Sequence, residues 1–180
     1  MVEQCAPTLA GVKPASLFRC QTEDRRGLCE TVGRWDRMMR ASGVRARILK
    51  FCPRTNSFLI YVYRESQIDV ILRRDESREF LSGCGYRAGG SEQMIGQLAR
   101  RLCVEQEFPH EVGVFLGYPL EDVKGFIKNK GKNYTFCGYW KSYGDPERAK
   151  AVYLCYRKCT AIYQRLYEKG TPITRLIVAA

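Results

Sequence analysis

The amino-acid sequence predicts an α+β fold in which a small antiparallel sheet is covered by about five or six helices. Two observations support this. Two neighbouring segments, 44–51 and 57–64, have the composition of strands, whereas most of the remaining chain places apolar residues at helical spacing. With 180 residues, 45% of them hydrophobic, the chain can bury a core without disulfides or metals, and we expect a single domain over residues 1–180.

The strand prediction depends on residues 44–64. Apolar Val44, Ala46 and Ile48 alternate with arginines, which is the pattern of a half-buried strand. Residues 57–64 are rich in β-branched and aromatic side chains. The segment 52–56 between them, Cys-Pro-Arg-Thr-Asn, has turn chemistry. The pattern therefore predicts an antiparallel hairpin that pairs 44–51 with 57–64.

Helices are predicted for much of the first hundred residues. Residues 9–18 are expected to form a loop that leads into a short helix. Apolar residues from Leu28 to Met39 recur at helical spacing, and Gly43 ends that helix. Residues 65–81 are helical in character, in two pieces, and a glycine-rich loop follows them. Ser91 can cap the next helix, which has apolar residues along one face.

Two prolines organise the following segment. Pro109 suits the first turn of a short helix that ends near Gly117, and Pro119 begins another helix that ends near Gly131. The aromatic residues 133–143 are predicted to form a strand or an ordered loop, and the last long helix begins at 145–147. We expect disorder only in the first few residues and in the tail 171–180.

The chain is basic, with a formal net charge of +11. Residues 1–90 contain 16 Lys or Arg and 10 Asp or Glu, and residues 91–180 contain 14 and 9, so the excess is spread evenly. Such a charge favours acidic partners, including acidic proteins, phosphorylated ligands and nucleic acid. The absence of a basic tail weakens the nucleic-acid interpretation.

Location is indicated by the cysteines and by the apolar segments. The nine cysteines are odd in number and scattered, which is typical of reduced thiols rather than a disulfide framework. The longest apolar run has strand length, far below a membrane span. The first residues lack the basic and then apolar order of a signal peptide. We therefore expect a cytoplasmic protein without a membrane partner.

Several segments resemble the signature of one protein family. Residues 108–123 read Phe-Pro-His-Glu-Val-Gly-Val-Phe-Leu-Gly-Tyr-Pro-Leu-Glu-Asp-Val, and residues 137–143 read Cys-Gly-Tyr-Trp-Lys-Ser-Tyr. Residues 9–18, 131–134 and 158–160 are similar as well. Together these segments resemble the family named domain of unknown function 3793, and the resemblance spans nearly the whole chain. The family often has valine where Ser142 stands. The resemblance implies a cytoplasmic protein of anaerobic bacteria and supplies no mechanism.

The single histidine, His110, is a candidate catalytic residue together with Glu111. Adjacent residues on a helix point in different directions, so a direct dyad is not implied. With Cys137, Cys155 and Cys159, His110 would also give three sulfurs and one nitrogen, an acceptable set for zinc or iron. The alternatives are a histidine bonded to backbone or water in the first turn of a helix, and buried inert thiols.

A stretch that alternates basic and aromatic residues is a candidate cofactor site. Lysines neutralise phosphates, and aromatic rings stack on bases or flavin-like rings. The alternative is the C-terminus of a helix with favourable lysines, followed by core aromatics. The candidate cofactor-binding residues are Asn129, Lys130, Gly131, Lys132, Asn133, Tyr134, Trp140 and Lys141.

These observations leave three functional hypotheses. The first is a protein that binds a phosphate-bearing cofactor, haem or metal in anaerobic redox or iron physiology. Its site would lie where residues 108–119 meet residues 129–143 and Cys159. The second is a non-enzymatic basic adaptor for an acidic protein such as a flavodoxin, or for nucleic acid. The third is a transferase or hydrolase with His110 as general base. The residues do not identify the cofactor.

Overall fold

The structure is a computed structural model and describes residues 1–105 and 107–179. Within those residues the chain forms eight α-helices and five β-strands, which confirms the α+β prediction. None of these helices is long and apolar enough to cross a lipid bilayer. In chain order the elements are α1 (Val2–Leu9), β1 (Ala15–Gln21), α2 (Arg25–Met39), β2 (Val44–Cys52), β3 (Ser57–Arg64), α3 (Glu65–Arg73), α4 (Asp75–Gly83), α5 (Ser91–Val104), α6 (Val112–Phe115), α7 (Leu120–Asn129), β4 (Phe136–Cys137), β5 (Lys141–Ser142) and α8 (Pro146–Glu168).

The main sheet is antiparallel and has the strand order β1-β3-β2. The predicted hairpin is present, with Val44 opposite Arg64 and Ile48 opposite Ile60. The register shifts between Ile48 and Lys50, which is a β-bulge in the outer strand β2. The central strand is thus β3, the most apolar of the three.

Alternation along β3 produces one core on each face of the sheet. Phe58, Ile60 and Val62 pack with residues of α1 and α2 on one face. Tyr61 and Tyr63 pack on the other face with residues of α3 to α7. The hydroxyl of Tyr61 also donates a hydrogen bond of 2.5 Å to the carbonyl of Phe115, so the short helix α6 is tied directly to the sheet.

The prediction for residues 9–18 was wrong in part. A loop does follow Leu9, but it leads into strand β1 rather than into a helix. The edge strand pairs with β3 along its whole length, from Ala15 opposite Tyr63 to Gln21 opposite Ser57. This pairing provides backbone hydrogen bonds that a short isolated helix could not match, because helices of this length are marginal in water.

The other predicted helices are present in the structure, although their first and last residues differ from the prediction. Residues 65–81 form two helices, α3 and α4, and Arg74 between them has an extended backbone. The helix expected to begin at Pro109 begins at Val112 and is one turn long, and Gly117 follows it with a φ of 73°.

Both ends of the chain pack against the rest of the protein, contrary to the expected disorder. Of the tail 171–180, only Ala180 lies outside the described residues. The buried Arg64 donates hydrogen bonds of 2.7 Å to the carbonyls of Thr8, Leu9 and Val178. The amide of Val178 in turn donates to the carbonyl of Leu9. One buried guanidinium therefore joins the end of α1 to the tail.

A second, two-stranded sheet lies over α7 and α8. It pairs Phe136 with Ser142 and Cys137 with Lys141, so residues 133–143 form a hairpin rather than a single strand. Its close approach to α7 requires Gly125, because a β-carbon there would lie 2.5 Å from the ring of Tyr143. We call residues 136–142 the aromatic hairpin.

Candidate functional site

The aromatic hairpin and the helices α6 and α7 enclose a cleft with a volume of about 170 Å³. Its lining is mostly apolar and aromatic, with one histidine, one carboxylate and one lysine. We call it the aromatic cleft. It is lined by His110, Val112, Gly113, Tyr118, Asp122, Val123, Phe126, Tyr139, Trp140 and Lys141.

Asp122 holds the aromatic hairpin against α7. Its carboxylate is buried and accepts four hydrogen bonds, all from the hairpin and the residues that follow it. Oδ2 accepts from the indole Nε1 of Trp140 at 2.7 Å. Oδ1 accepts from the hydroxyl of Ser142 at 3.1 Å and from the amides of Tyr143 and Gly144 at 2.6 and 3.2 Å. The charge is thus stabilised by oriented donors, and the indole is fixed in one orientation.

Two pairs of stacked or tilted rings form the walls of the cleft. The rings of Tyr118 and Trp140 are nearly parallel, with centroids 5.1 Å apart. The imidazole of His110 lies 4.8 Å from the ring of Phe126 at a tilt of 58°. Gly113 permits this arrangement, because a β-carbon there would lie 2.7 Å from the side chain of Val123. The walls of the cleft are therefore formed largely by aromatic rings that pack against one another.

Lys141 places a positive charge at the cleft. Its Nζ donates a hydrogen bond of 2.7 Å to the carbonyl of Gly131 and lies 4.8 Å from the ring centre of Tyr134. A protonated lysine has three donors, so this one protein bond leaves capacity for a ligand. The turn that supplies the carbonyl has two successive residues with left-handed backbone, Lys130 and Gly131.

The structure brings together only part of the predicted cofactor-binding set. Trp140 and Lys141 line the aromatic cleft, and Gly131 and Tyr134 contact Lys141. The remaining members do not line it. Asn129 donates its side-chain amide to the carbonyl of Gly125, and Lys130, Lys132 and Asn133 are exposed.

The two predicted catalytic residues point in different directions. His110 is exposed and lines the cleft. Glu111 is buried on the other side of the turn, where it accepts hydrogen bonds from Arg101 Nε at 2.9 Å and from the hydroxyl of Tyr86 at 3.2 Å. The carboxylate of Glu111 is therefore engaged in an ion pair between α5 and α6 and does not assist His110.

The proposed metal ligands are not gathered. Across residues 1–105 and 107–179, no three His, Cys, Asp or Glu side chains lie close enough to hold a metal ion. His110 lies at the cleft beside Phe126, and Cys137 is exposed on β4. Cys155 and Cys159 lie on α8, exposed and half-buried respectively. Cys155 and Cys159 are neighbours because they lie four residues apart on one helix. The fold does not bring His110 and Cys137 together with them to form a metal site.

Sequence analysis did not single out three residues that the structure makes important. Asp122 lies in the first turn of α7, where an acidic residue is common because it complements the helix dipole, so its position gave no sign of a further role. Tyr118 belongs to the Gly117-Tyr118-Pro119 segment, whose residues line three neighbouring clefts. Lys13 is buried against aromatic rings that are distant in sequence, so no local pattern could have revealed it.

Comparison with known proteins gives one match. Residues 1–177 match the family described as "Protein of unknown function (DUF3793)", which covers the aromatic cleft and both cores. No curated protein and no solved structure matches the chain. The resemblance noted in residues 108–123 and 137–143 thus extends to a match over nearly the full length. The chain belongs to the DUF3793 family.

Proposed function

We propose that the aromatic cleft binds the ring of a small planar ligand that also bears an anionic group, such as a phosphate-bearing cofactor. The observation that supports this most directly is the combination of stacked aromatic walls with Lys141 in one small cleft. Ligand sites in proteins are typically concave and apolar, with a few polar groups that orient the ligand.

The charges around the cleft are the reason for proposing an anionic group on the ligand. Lys141 lines the cleft and donates a hydrogen bond to the carbonyl of Gly131. The exposed Lys130 and Lys132 flank that glycine. The one carboxylate in the lining, Asp122, is already saturated by four donors. An anion at the opening would therefore meet cations rather than an unpaired carboxylate, and the net charge of +11 would favour its approach.

The size of the cleft supports a single ring system over haem. Sites that enclose a drug-sized ligand usually have volumes of roughly 300–1,000 Å³. A cleft of about 170 Å³ suits one ring, with the rest of the ligand outside. The cytoplasm, where such cofactors are abundant, is the location we propose, and the nine free thiols are compatible with that reducing compartment.

Calorimetric titration with flavin mononucleotide and adenosine monophosphate tests this proposal. We expect at least one of them to bind, and Lys141→Ala to weaken that binding about tenfold, because it removes a charge-assisted contact worth roughly 1.5 kcal/mol. Lys150→Ala is the matched control, since it removes an exposed lysine of α8 that does not line the cleft. Its effect should stay below about twofold.

Two outcomes would contradict the proposal. One is the absence of binding by either probe at millimolar concentration. The other is an equal loss of affinity in Lys141→Ala and Lys150→Ala, which would indicate attraction to the basic surface as a whole instead of binding in the cleft.

The exposed side of α8 supports a second candidate function, a docking surface for an acidic protein. Leu154, Ile162 and Leu166 are each at least 40% exposed and lie on one side of the helix with Lys158 and Arg165. Between positions 148 and 167 the helix contains no acidic residue. Charge complementarity therefore favours an acidic partner such as a flavodoxin-like protein.

The docking surface predicts salt-dependent capture of an acidic flavodoxin by the immobilised chain. Ile162→Glu should weaken that binding about tenfold or more, because it places a carboxylate in the centre of the apolar side. Val70→Glu, at another exposed apolar position on α3, is the control. Binding that is insensitive to salt, or equal losses in both variants, would contradict the idea. If the immobilised chain bound nucleic acid and not the flavodoxin, the partner of the basic surface would be nucleic acid.

A further inference from the structure

Lys13 has unusual surroundings for a lysine. It lies in the loop between α1 and β1, and only 8% of its surface is exposed. Its Nζ faces three tyrosine rings, with distances to the ring centres of 5.5 Å for Tyr118 and 5.9 Å for both Tyr139 and Tyr156. We call these three residues the tyrosine cage. They come from the α6–α7 loop, the aromatic hairpin and α8.

The position of Lys13 is determined by its neighbours in the loop. The backbone amide of Lys13 donates to the carbonyl of Pro7 at 3.0 Å. The next residue, Pro14, packs so closely on Gly117 that a β-carbon at Gly117 would lie 2.5 Å from the proline ring. Because Gly117 precedes Tyr118, this contact brings the lysine and the first ring of its cage together.

Within the described residues the ammonium of Lys13 has no ion pair and no hydrogen bond from its side chain. Buried lysines normally pair with a carboxylate. Cation–π contacts with three rings offset only part of the loss of hydration. Burial accordingly lowers the pKa of Lys13 to about 8, so about a tenth of the amine is neutral at pH 7.

We propose that Lys13 is a nucleophilic amine that forms an imine with a small aldehyde or ketone. A lysine held in an apolar pocket away from carboxylates is the arrangement that favours this chemistry. The inference does not rest on the ligand proposed for the aromatic cleft, although Tyr118 and Tyr139 border both sites.

The reaction needs no further reagent. The lone pair of Nζ attacks the carbonyl carbon, and a carbon–nitrogen bond forms as the carbonyl π bond breaks. A proton moves from the nitrogen to the oxygen and gives the carbinolamine. The proton that the ammonium first released to solvent then protonates the hydroxyl, which leaves as water, and a protonated imine remains. No electrons are gained or lost. The product retains the single positive charge of the ammonium, so the tyrosine cage stabilises it as it stabilises the starting cation.

Tyr139 is the most exposed member of the tyrosine cage. This ring is 43% exposed and belongs to the turn of the aromatic hairpin, whereas Tyr156 is buried on α8. Tyr139 is also a wall of the aromatic cleft. We therefore infer that a small carbonyl compound reaches the amine past this ring.

Reductive labelling of the wild-type chain tests the proposal. Acetaldehyde with cyanoborohydride at pH 7 converts each imine into a stable ethylamine, which peptide mass spectrometry locates. We expect Lys13 to react about tenfold faster than the exposed Lys128 and Lys130, because burial lowers the pKa of the Lys13 amine. In urea the preference should vanish, since the unfolded chain exposes all three lysines alike.

The pH profile provides a second readout. The rate at which acetic anhydride, a reagent that reacts with the neutral amine alone, acetylates Lys13 should level off above about pH 8. The groups that face Lys13 are Tyr118, Tyr139, Tyr156 and Cys5, and burial raises the pKa of Tyr118, Tyr156 and Cys5 to about 12, so those three stay neutral over this range. Labelling of Lys13 no faster than Lys130 in the folded chain would overturn the proposal.

Discussion

Replacement of Asp122 by asparagine is expected to destabilise the protein by about 3 kcal/mol and to loosen the aromatic hairpin from α7. The carboxylate accepts four hydrogen bonds through two oxygens, and every partner is a donor. Asparagine has one carbonyl oxygen, and its NH₂ group must face either the indole of Trp140 or the three donors that bind Oδ1. Either orientation leaves buried donors without an acceptor, which costs about 1–3 kcal/mol for each lost bond.

Urea unfolding of Asp122→Asn measures this loss. Asp145→Asn is the matched control, because Asp145 is the exposed N-cap of α8 and asparagine caps helices equally well. We expect the control to change the free energy of unfolding by less than about 0.5 kcal/mol. A similar small change in Asp122→Asn would show that the carboxylate does not hold the hairpin.

Replacement of Arg64 by methionine is expected to cost about 3–4 kcal/mol. Arg64 is 1% exposed, and its guanidinium donates to three carbonyls, those of Thr8, Leu9 and Val178. Methionine fills part of the volume but removes the guanidinium from all three carbonyls. Those of Thr8 and Leu9 keep the backbone amides of Gly11 and Val178, whereas that of Val178 loses its donor. Because the carbonyls belong to both ends of the chain, the tail that follows α8 should also detach.

Two measurements separate these effects. Urea unfolding gives the free energy, and limited proteolysis shows whether residues after Gly170 become accessible in the folded variant. Arg54→Met is the control, since Arg54 is exposed in the turn between β2 and β3. Arg64→Met would contradict the account if it were as stable and as protease-resistant as the control.

Local patterns in the sequence were sufficient for the hairpin of β2 and β3 and for most helices. The alternation of Val44, Ala46 and Ile48 with arginines, and the turn at 52–56, are local signals. Strand β1 was missed because its conformation depends on pairing with β3, some forty residues away. Pro14 just before it was interpreted as part of a loop, which hid the start of the strand.

Sequence patterns predicted which segments come together but not their polar contacts. Residues of 108–119 and 129–143 line the aromatic cleft, whereas Cys159 does not. Glu111, however, is used in an ion pair with Arg101, and the cysteines of α8 lie apart from His110. Asp122 and Lys13 gain their roles from tertiary contacts with the aromatic hairpin, which no spacing in the sequence encodes.

The central claim is that a planar anionic ligand occupies the aromatic cleft, and the emission of Trp140 tests it most directly. The chain has two tryptophans, so Trp35→Phe leaves Trp140, a wall of the cleft, as the only indole. Titration of this variant with the nucleotide that binds best should give a saturable change in emission at the calorimetric affinity. Trp140→Phe, which retains only Trp35 on α2, should give no saturable change. Calorimetric binding without any response from Trp140 would place the ligand elsewhere and contradict the account.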